Sequence, residues 1–209
     1  MIQSKKSLEL ELSKLKVFEK PSLQLEQYAT PSHIAADWIW IMAMRGEVMG
    51  RTILDAAAGP GILGLGLLLM GAKKVYFVDK DPVILQVCSD NYHQIKEEYE
   101  VGEAEFITSD ISLFDEHVDL VVQNPPFGTK DEHIDKLFLE KAFVAAPLVY
   151  SMHKFSTKQF VEAISKDYGF MITGVWRYEF PIKAQFSFHK KLVRNIDVGL
   201  WRMEKKVRI

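Results

Sequence analysis

Asn124-Pro125-Pro126-Phe127 is the segment of this 209-residue chain whose residue types point to the most specific chemistry. Proline restricts a turn and carries no N–H, so two prolines in a row leave backbone carbonyls as acceptors. Asn124 adds a side-chain carbonyl. Two neighbouring acceptors can take both hydrogens of a planar amino group. The exocyclic amine of a base is a poor nucleophile because its lone pair is conjugated into the ring. Accepting both of its hydrogens favours a lone pair turned toward an electrophile. Phe127 offers a flat face on which a base can stack. Asn124, Pro125, Pro126 and Phe127 are therefore the candidate catalytic residues.

A second cluster reads as a ligand loop. Asp55-Ala56-Ala57-Ala58-Gly59-Pro60-Gly61 is made of small residues that let a ligand approach the backbone. Gly59-Pro60-Gly61-Ile62-Leu63-Gly64 also fits G-x-G-x-x-G, the dinucleotide fingerprint. An acid directly before the glycines argues against a pyrophosphate, which Asp55 would repel. It favours a ligand carrying a cation, such as S-adenosylmethionine (SAM). Asp79, 24 residues after Asp55, suits the hydroxyls of a ribose in either cofactor.

These residues need a frame that brings them together. Leu8, Leu12 and Leu15 predict a short amphipathic helix ended by Pro21. Thr30 before Pro31 predicts an N-cap with proline at the first helical position. That helix runs to about Met44, with Ile34, Ala35, Trp38, Ile39 and Met42 on one face. From residue 52 strands alternate with helices. Strands are predicted at Thr52–Asp55, Val75–Val78, Glu105–Thr108, Val118–Gln123 and Leu148–Ser151. Helices are predicted after the glycine loop, from Pro82 to about Glu98, from Ile134 to Ala146, and from a capping box at Ser156-Thr157-Lys158-Gln159. Gly169–Glu179 and Asn195–Met203 read as two last strands with no helix between them, hence an antiparallel, hairpin-like end. The expectation is one α/β domain over residues 1–209. It would comprise N-terminal helices over the ligand site (residues 1–50) and a Rossmann-like, mostly parallel sheet (residues 51–209).

Charge is uneven. The net value of −2 argues against a nucleic-acid partner, but residues 151–209 hold 12 Lys/Arg against 5 Asp/Glu, a balance of +7. Residues 1–150 hold 14 against 23, a balance of −9. A base must leave its stack to enter a pocket, and the phosphates beside it need cations. Lys154, Lys158, Lys183, Lys190, Lys191 and Arg194 follow the fifth and sixth predicted strands, on the ligand side of such a sheet. His153 and His189 each precede a lysine, and RNA contact and a structural role stay open for both. One cysteine, Cys88, excludes an internal disulfide and a cysteine-rich zinc site. The six histidines show no metal-ligand spacing, so no metal is expected. The longest charge-free run, Ala56 to Ala72, carries five Gly and one Pro, too broken for a membrane span. With a polar start and no apolar leader, a cytoplasmic protein is expected.

The order Asp55, Gly59-Pro60-Gly61, Asp79, Asp110 and Asn124-Pro125-Pro126-Phe127 resembles the seven-stranded, Rossmann-like SAM-dependent amino-methyltransferases. The flanks Leu25–Thr30, Gly128-Thr129-Lys130, Val149–Lys154 and Phe188–Lys191 narrow the resemblance. They are similar to the archaeal and eukaryotic enzymes that methylate adenosine N6 in small-subunit ribosomal RNA. The resemblance runs from about residue 8 to the C-terminus. It implies Gln27 and Thr30 over the SAM site with Tyr28 nearby. It implies residues 55–61, with Ala57, Gly59, Pro60 and Gly61, around the methionine part. Asp79 would hold the ribose hydroxyls, and Asp110 and Ile111 would border the cofactor adenine. Asn124 and the Pro125 carbonyl would bind the target amine, and Phe127 would stack on the base. The family usually has glycine where this chain has Ala57. Eukaryotic members work with a small zinc-binding activator that pairs along a sheet edge, here Glu105–Thr108. A methyltransferase of guanine N2 or protein glutamine N5, and an inactive SAM-fold scaffold that binds RNA, stay open as alternatives.

Overall fold

A computed structural model describes residues 2–18, 27–127, 134–183 and 193–206. Two helices open the chain, α1 (Lys5–Lys14) and α2 (Ser32–Met44). Leu8 and Leu12 of α1 and Ile34, Ala35, Trp38, Ile39 and Met42 of α2 are buried, so both helices turn the predicted stripe inward. Then come β1 (Thr52–Ala56), α3 (Ile62–Leu69), β2 (Lys74–Asp79), α4 (Pro82–Glu98), β3 (Glu103–Thr108), β4 (Leu120–Gln123), α5 (Ile134–Ala145) and β5 (Leu148–Lys154). The last elements are α6 (Lys158–Asp167), β6 (Phe170–Lys183) and β7 (Val193–Lys205).

The seven strands form one sheet in the order β3-β2-β1-β4-β5-β7-β6. β1 to β5 are parallel, and β7 is antiparallel to both β5 and β6. Right-handed crossovers through helices place one layer on each face, which is why β1 and β4 are apolar and almost wholly buried. One core joins α1, α2, α3 and α4 to the sheet, and the other joins α5 and α6. The strand order reverses between β1 and β4. In open sheets of this kind ligands bind beyond the carboxyl ends of the strands at that point.

Two predicted caps are not used as caps. Pro31 itself occupies the N-cap of α2 without a side-chain bond, and Thr30 is engaged elsewhere. No box forms around Ser156. β5 runs three residues further than expected, a single 3-10 turn spans Phe155–Thr157, and the Thr157 hydroxyl donates to the Lys154 carbonyl at 2.8 Å. No helix among the described residues is long and apolar enough to cross a membrane.

Candidate active site

A cavity of about 950 Å³, counted out to its mouth, opens at the carboxyl ends of β1, β2 and β4. Its wall gathers residues from seven separated stretches of chain, between Phe18 and Phe138. Every predicted cofactor and catalytic residue except Gly61 lines it: Gln27, Tyr28, Thr30, Asp55, Ala57, Gly59, Pro60, Asp79, Asp110, Ile111, Asn124, Pro125, Pro126 and Phe127. Gly61 stands behind the wall. It takes φ +85° at the N-cap of α3, and a Cβ there would collide with Cys88 Sγ, so its role is the turn. Neither α1 nor α2 contributes a lining residue. The segment between them does, through Phe18 and Gln27 to Thr30.

The glycine loop is braced by acids. Asp55 is 1% exposed, and its Oδ2 accepts the Gly64 N–H at 2.8 Å. Burial pushes its carboxyl well above the usual carboxylate range, against the pull of that N–H. A cation placed beside it would restore the charged form. Asp79 ends β2. Its Oδ2 accepts the Gly59 N–H at 2.8 Å and its Oδ1 the Asp81 N–H at 3.0 Å, which leaves lone pairs on both oxygens for hydroxyls. Burial raises the Asp79 carboxyl as well. Asp110 caps the turn Ile111–Leu113 by accepting the Ser112 N–H at 2.8 Å, and its bonds from Ser112 lower its pKa. Ala57 is the non-glycine residue with positive φ among those described, at +58°. A strained alanine on a ligand wall stands where the resembled family uses glycine.

The other side of the cavity carries the Asn-Pro-Pro-Phe turn. The Asn124 Nδ2 donates to the Thr30 Oγ1 at 3.1 Å. The Asn124 Oδ1 is buried and has no hydrogen-bond partner among the described residues. A buried carbonyl without a donor is costly, and such orphans concentrate where a ligand supplies the missing group. Phe127 is 8% exposed. It lies nearly parallel to Tyr28 (6.5 Å between centroids, 19°), meets Phe180 edge-on at 6.2 Å, and has the Lys154 ammonium 6.0 Å from its ring.

Beneath this turn runs a buried polar chain. Gln123 Nε2 donates to Ser151 Oγ at 2.9 Å, and Ser151 Oγ lies 2.7 Å from His153 Nε2. His153 is 2% exposed, and burial lowers its pKa to about 3. It is therefore a neutral structural ring and not an RNA contact. Sequence reasoning missed this chain, the Phe180 support and the lining residues Phe18, Lys80 and Ser109. It also missed Asn91 of α4. Fully buried, Asn91 takes the Lys16 N–H on Oδ1 and gives Nδ2 to the carbonyls of Lys16 and Pro60, which ties the N-terminal segment to the glycine loop.

Of the predicted RNA residues, Lys154 is half-buried, with its ammonium 6.0 Å from the Phe127 ring. Lys183 ends β6 and Arg194 is the second residue of β7, at the end of the sheet where the cavity opens. His189, Lys190 and Lys191 lie outside the described residues.

Residues 39–149 match the model of the methyltransferase small domain family. The chain belongs to that family. This methyltransferase small domain protein is 31% identical over 208 residues to an uncharacterised protein of Methanocaldococcus jannaschii, covering 96% of this chain and 94% of that one. It is 33% identical to the rRNA N6-adenosine methyltransferase Mettl5 of Drosophila melanogaster, covering 90% of each chain. Among solved structures, a candidate RNA methyltransferase from Pyrococcus horikoshii shares 37% identity and superposes with a TM-score of 0.89 over 99% of this chain and all of the other. The seven-stranded, Rossmann-like methyltransferase fold expected from the sequence is thus the observed one.

Proposed function

We propose that this protein transfers a methyl group from S-adenosylmethionine to the N6 amine of an adenosine in RNA, in the small-subunit ribosomal RNA of the cytoplasm. The observation that carries the reading is the Asn124 amide. Its NH2 donates to Thr30 while its carbonyl is buried and unpartnered among the described residues, in a residue that lines the cavity beside Pro125. That polarity accepts hydrogens from an amine and repels a carbonyl, which is what N6 of adenosine requires.

The residues of the other wall fit the cofactor. Asp79 has lone pairs for ribose hydroxyls, Asp55 is a buried acid whose charged form needs a cation, and the small residues Ala57 and Gly59 line the same wall, Ala57 with one methyl more than the family's glycine. Asp110 and Ile111 would border the adenine. When bound, S-adenosylmethionine supplies an activated methyl on sulfur. Asn124 Oδ1 and the Pro125 carbonyl would each accept a hydrogen bond from the amine and aim the nitrogen lone pair; the N–C bond forms as the S–C bond breaks, the thioether leaves, and the extra amine proton passes to solvent. Phe127, held by Tyr28 and Phe180, would present a face to the base. Positioning and preorganised acceptors supply the rate, without a dedicated base. Lys154, Lys183, His189, Lys190, Lys191 and Arg194 would hold the flanking phosphates. The name of the Drosophila relative supports ribosomal RNA as the target.

A small zinc-binding activator would add a strand to β3. This strand is a sheet edge, with Glu103, Glu105 and Thr108 exposed and Phe106 and Ile107 half-buried.

The Asn124→Ala variant is expected to bind S-adenosylmethionine as the wild type does and to lose methyl transfer by more than about 100-fold, roughly 2.7 kcal/mol in the barrier. Calorimetric titration gives the first quantity. Labelled methyl incorporated into ribosomal RNA from cells lacking the enzyme gives the second. A variant that transfers at the wild-type rate would overturn the amine-clamp reading.

A further inference from the structure

The amide of Asn124 has two ends of nearly equal shape, and only one of them can accept from an amine. Turned the other way, its NH2 would face the target NH2, donor against donor. What holds the amide is a residue 94 positions away in the chain, Thr30, 7% exposed, whose Oγ1 accepts from Nδ2 at 3.1 Å. A hydroxyl can serve either orientation. In the structure one N–H of Nδ2 is spent on Thr30 and Oδ1 is left without a partner among the described residues, so the bond fixes the amide with its acceptor end unengaged. Thr30 occupies this post because it does not cap α2; that place belongs to Pro31.

The segment that carries Thr30 is also fixed at its other end. Gln27 Nε2 donates to Asp81 Oδ2 at 2.7 Å, and the Asp81 N–H in turn bonds Asp79 Oδ1 at 3.0 Å. Four residues therefore span from the acid proposed for the ribose to the amide proposed for the amine. We propose that Thr30 is a positioning residue for methyl transfer, acting through Asn124. This rests on the amine-clamp reading of Asn124. It adds to the role implied by family resemblance, in which Thr30 lies over S-adenosylmethionine.

The test compares Thr30→Val, which keeps the shape and removes the hydroxyl, with Thr30→Ser, which restores it. Two readouts are needed on the full-length protein. One is the nitrogen-15 NMR signal pair of the Asn124 side-chain NH2, which needs no substrate. The other is the single-turnover rate of adenosine N6 methylation on unmethylated ribosomal RNA, with S-adenosylmethionine affinity measured beside it. Thr30→Val is expected to shift the Asn124 NH2 pair and make it exchange faster. It should also slow transfer by about 10-fold, the worth of one hydrogen bond, with cofactor affinity within about two-fold. Thr30→Ser should recover both the signal and the rate. An unmoved NH2 pair with a wild-type rate overturns the proposal. So does a loss of cofactor affinity as large as the loss of rate. If the wild type places no methyl on adenosine, the functional reading falls instead, while the NH2 signal still reports whether Thr30 holds the amide.

Discussion

Single polar groups in this protein are defined by what lies next to them in space. His153 shows how strongly. A histidine beside a lysine near the end of a strand is compatible with an RNA contact, yet its ring is buried edge-on to Trp201 and takes part in the chain from Gln123 through Ser151. Burial lowers its pKa to about 3. The unfolded chain takes up a proton near pH 6.5 that the folded protein refuses, so stability present above 6.5 is lost as the pH falls toward 3. The loss approaches about 1.4 kcal/mol per pH unit within that window. The expected outcome is a His153 ring proton signal that does not titrate down to pH 4.5 in the folded protein, with denaturation midpoints falling over the same range. A ring that titrates near 6.5 while the protein stays folded would contradict this. Asn91 makes the complementary point. Nothing near it in the sequence signals that its amide brackets the Lys16 backbone, because the partner is 75 residues away.

Elements were the most legible level. The alternation of apolar runs with amphipathic helices identified the parallel strands, since period and turn chemistry are local properties. The placement of the candidate site residues was legible for the same reason: Asp55, Asp79 and Asn124 stand at the ends of β1, β2 and β4, where the fold places ligands. What local signals could not reveal is competition between elements. Ser156 has the residue pattern of a capping box, but β5 continues to Lys154 because β7 pairs with it along its whole length. At the opposite side of the sheet β3 is left open. The N–H groups of Glu103 and Ser109 point to β2, so by alternation those of Ala104, Phe106 and Thr108 point away from it. Ala104→Pro would remove one outward donor while sparing the inward ladder. It is expected to keep S-adenosylmethionine binding and to abolish co-purification of a strand-pairing activator. Unchanged co-purification would show that such a partner does not use this edge.

Over the whole molecule the charge is divided by place. Asp55, Asp79 and Asp110 lie on the cavity wall, the Lys154 ammonium stands 6.0 Å from the ring of the lining residue Phe127, and β6 and β7 run on past Lys154, which pairs with Val198 while β7 begins at Val193. A polyanion that meets Lys154 releases counterions, so its affinity must fall with salt. Lys154→Gln is expected to weaken RNA binding at low salt and to reduce the slope of log Kd against log salt by about one, which a titration across a salt series would measure. An unchanged slope would remove Lys154 from the RNA surface. The sheet order has a consequence for synthesis as well. β7 follows β6 in the chain yet lies between β5 and β6, and the buried Arg202 it carries meets Glu47, which also takes the Tyr150 hydroxyl. Until residues 193–205 have left the ribosome, β5 and β6 have no common neighbour. A nascent chain halted at that stage leaves β5 with an open edge and β6 with no partner strand, the surfaces that chaperones and proteases recognise, and β7 is the strand that hides both from them.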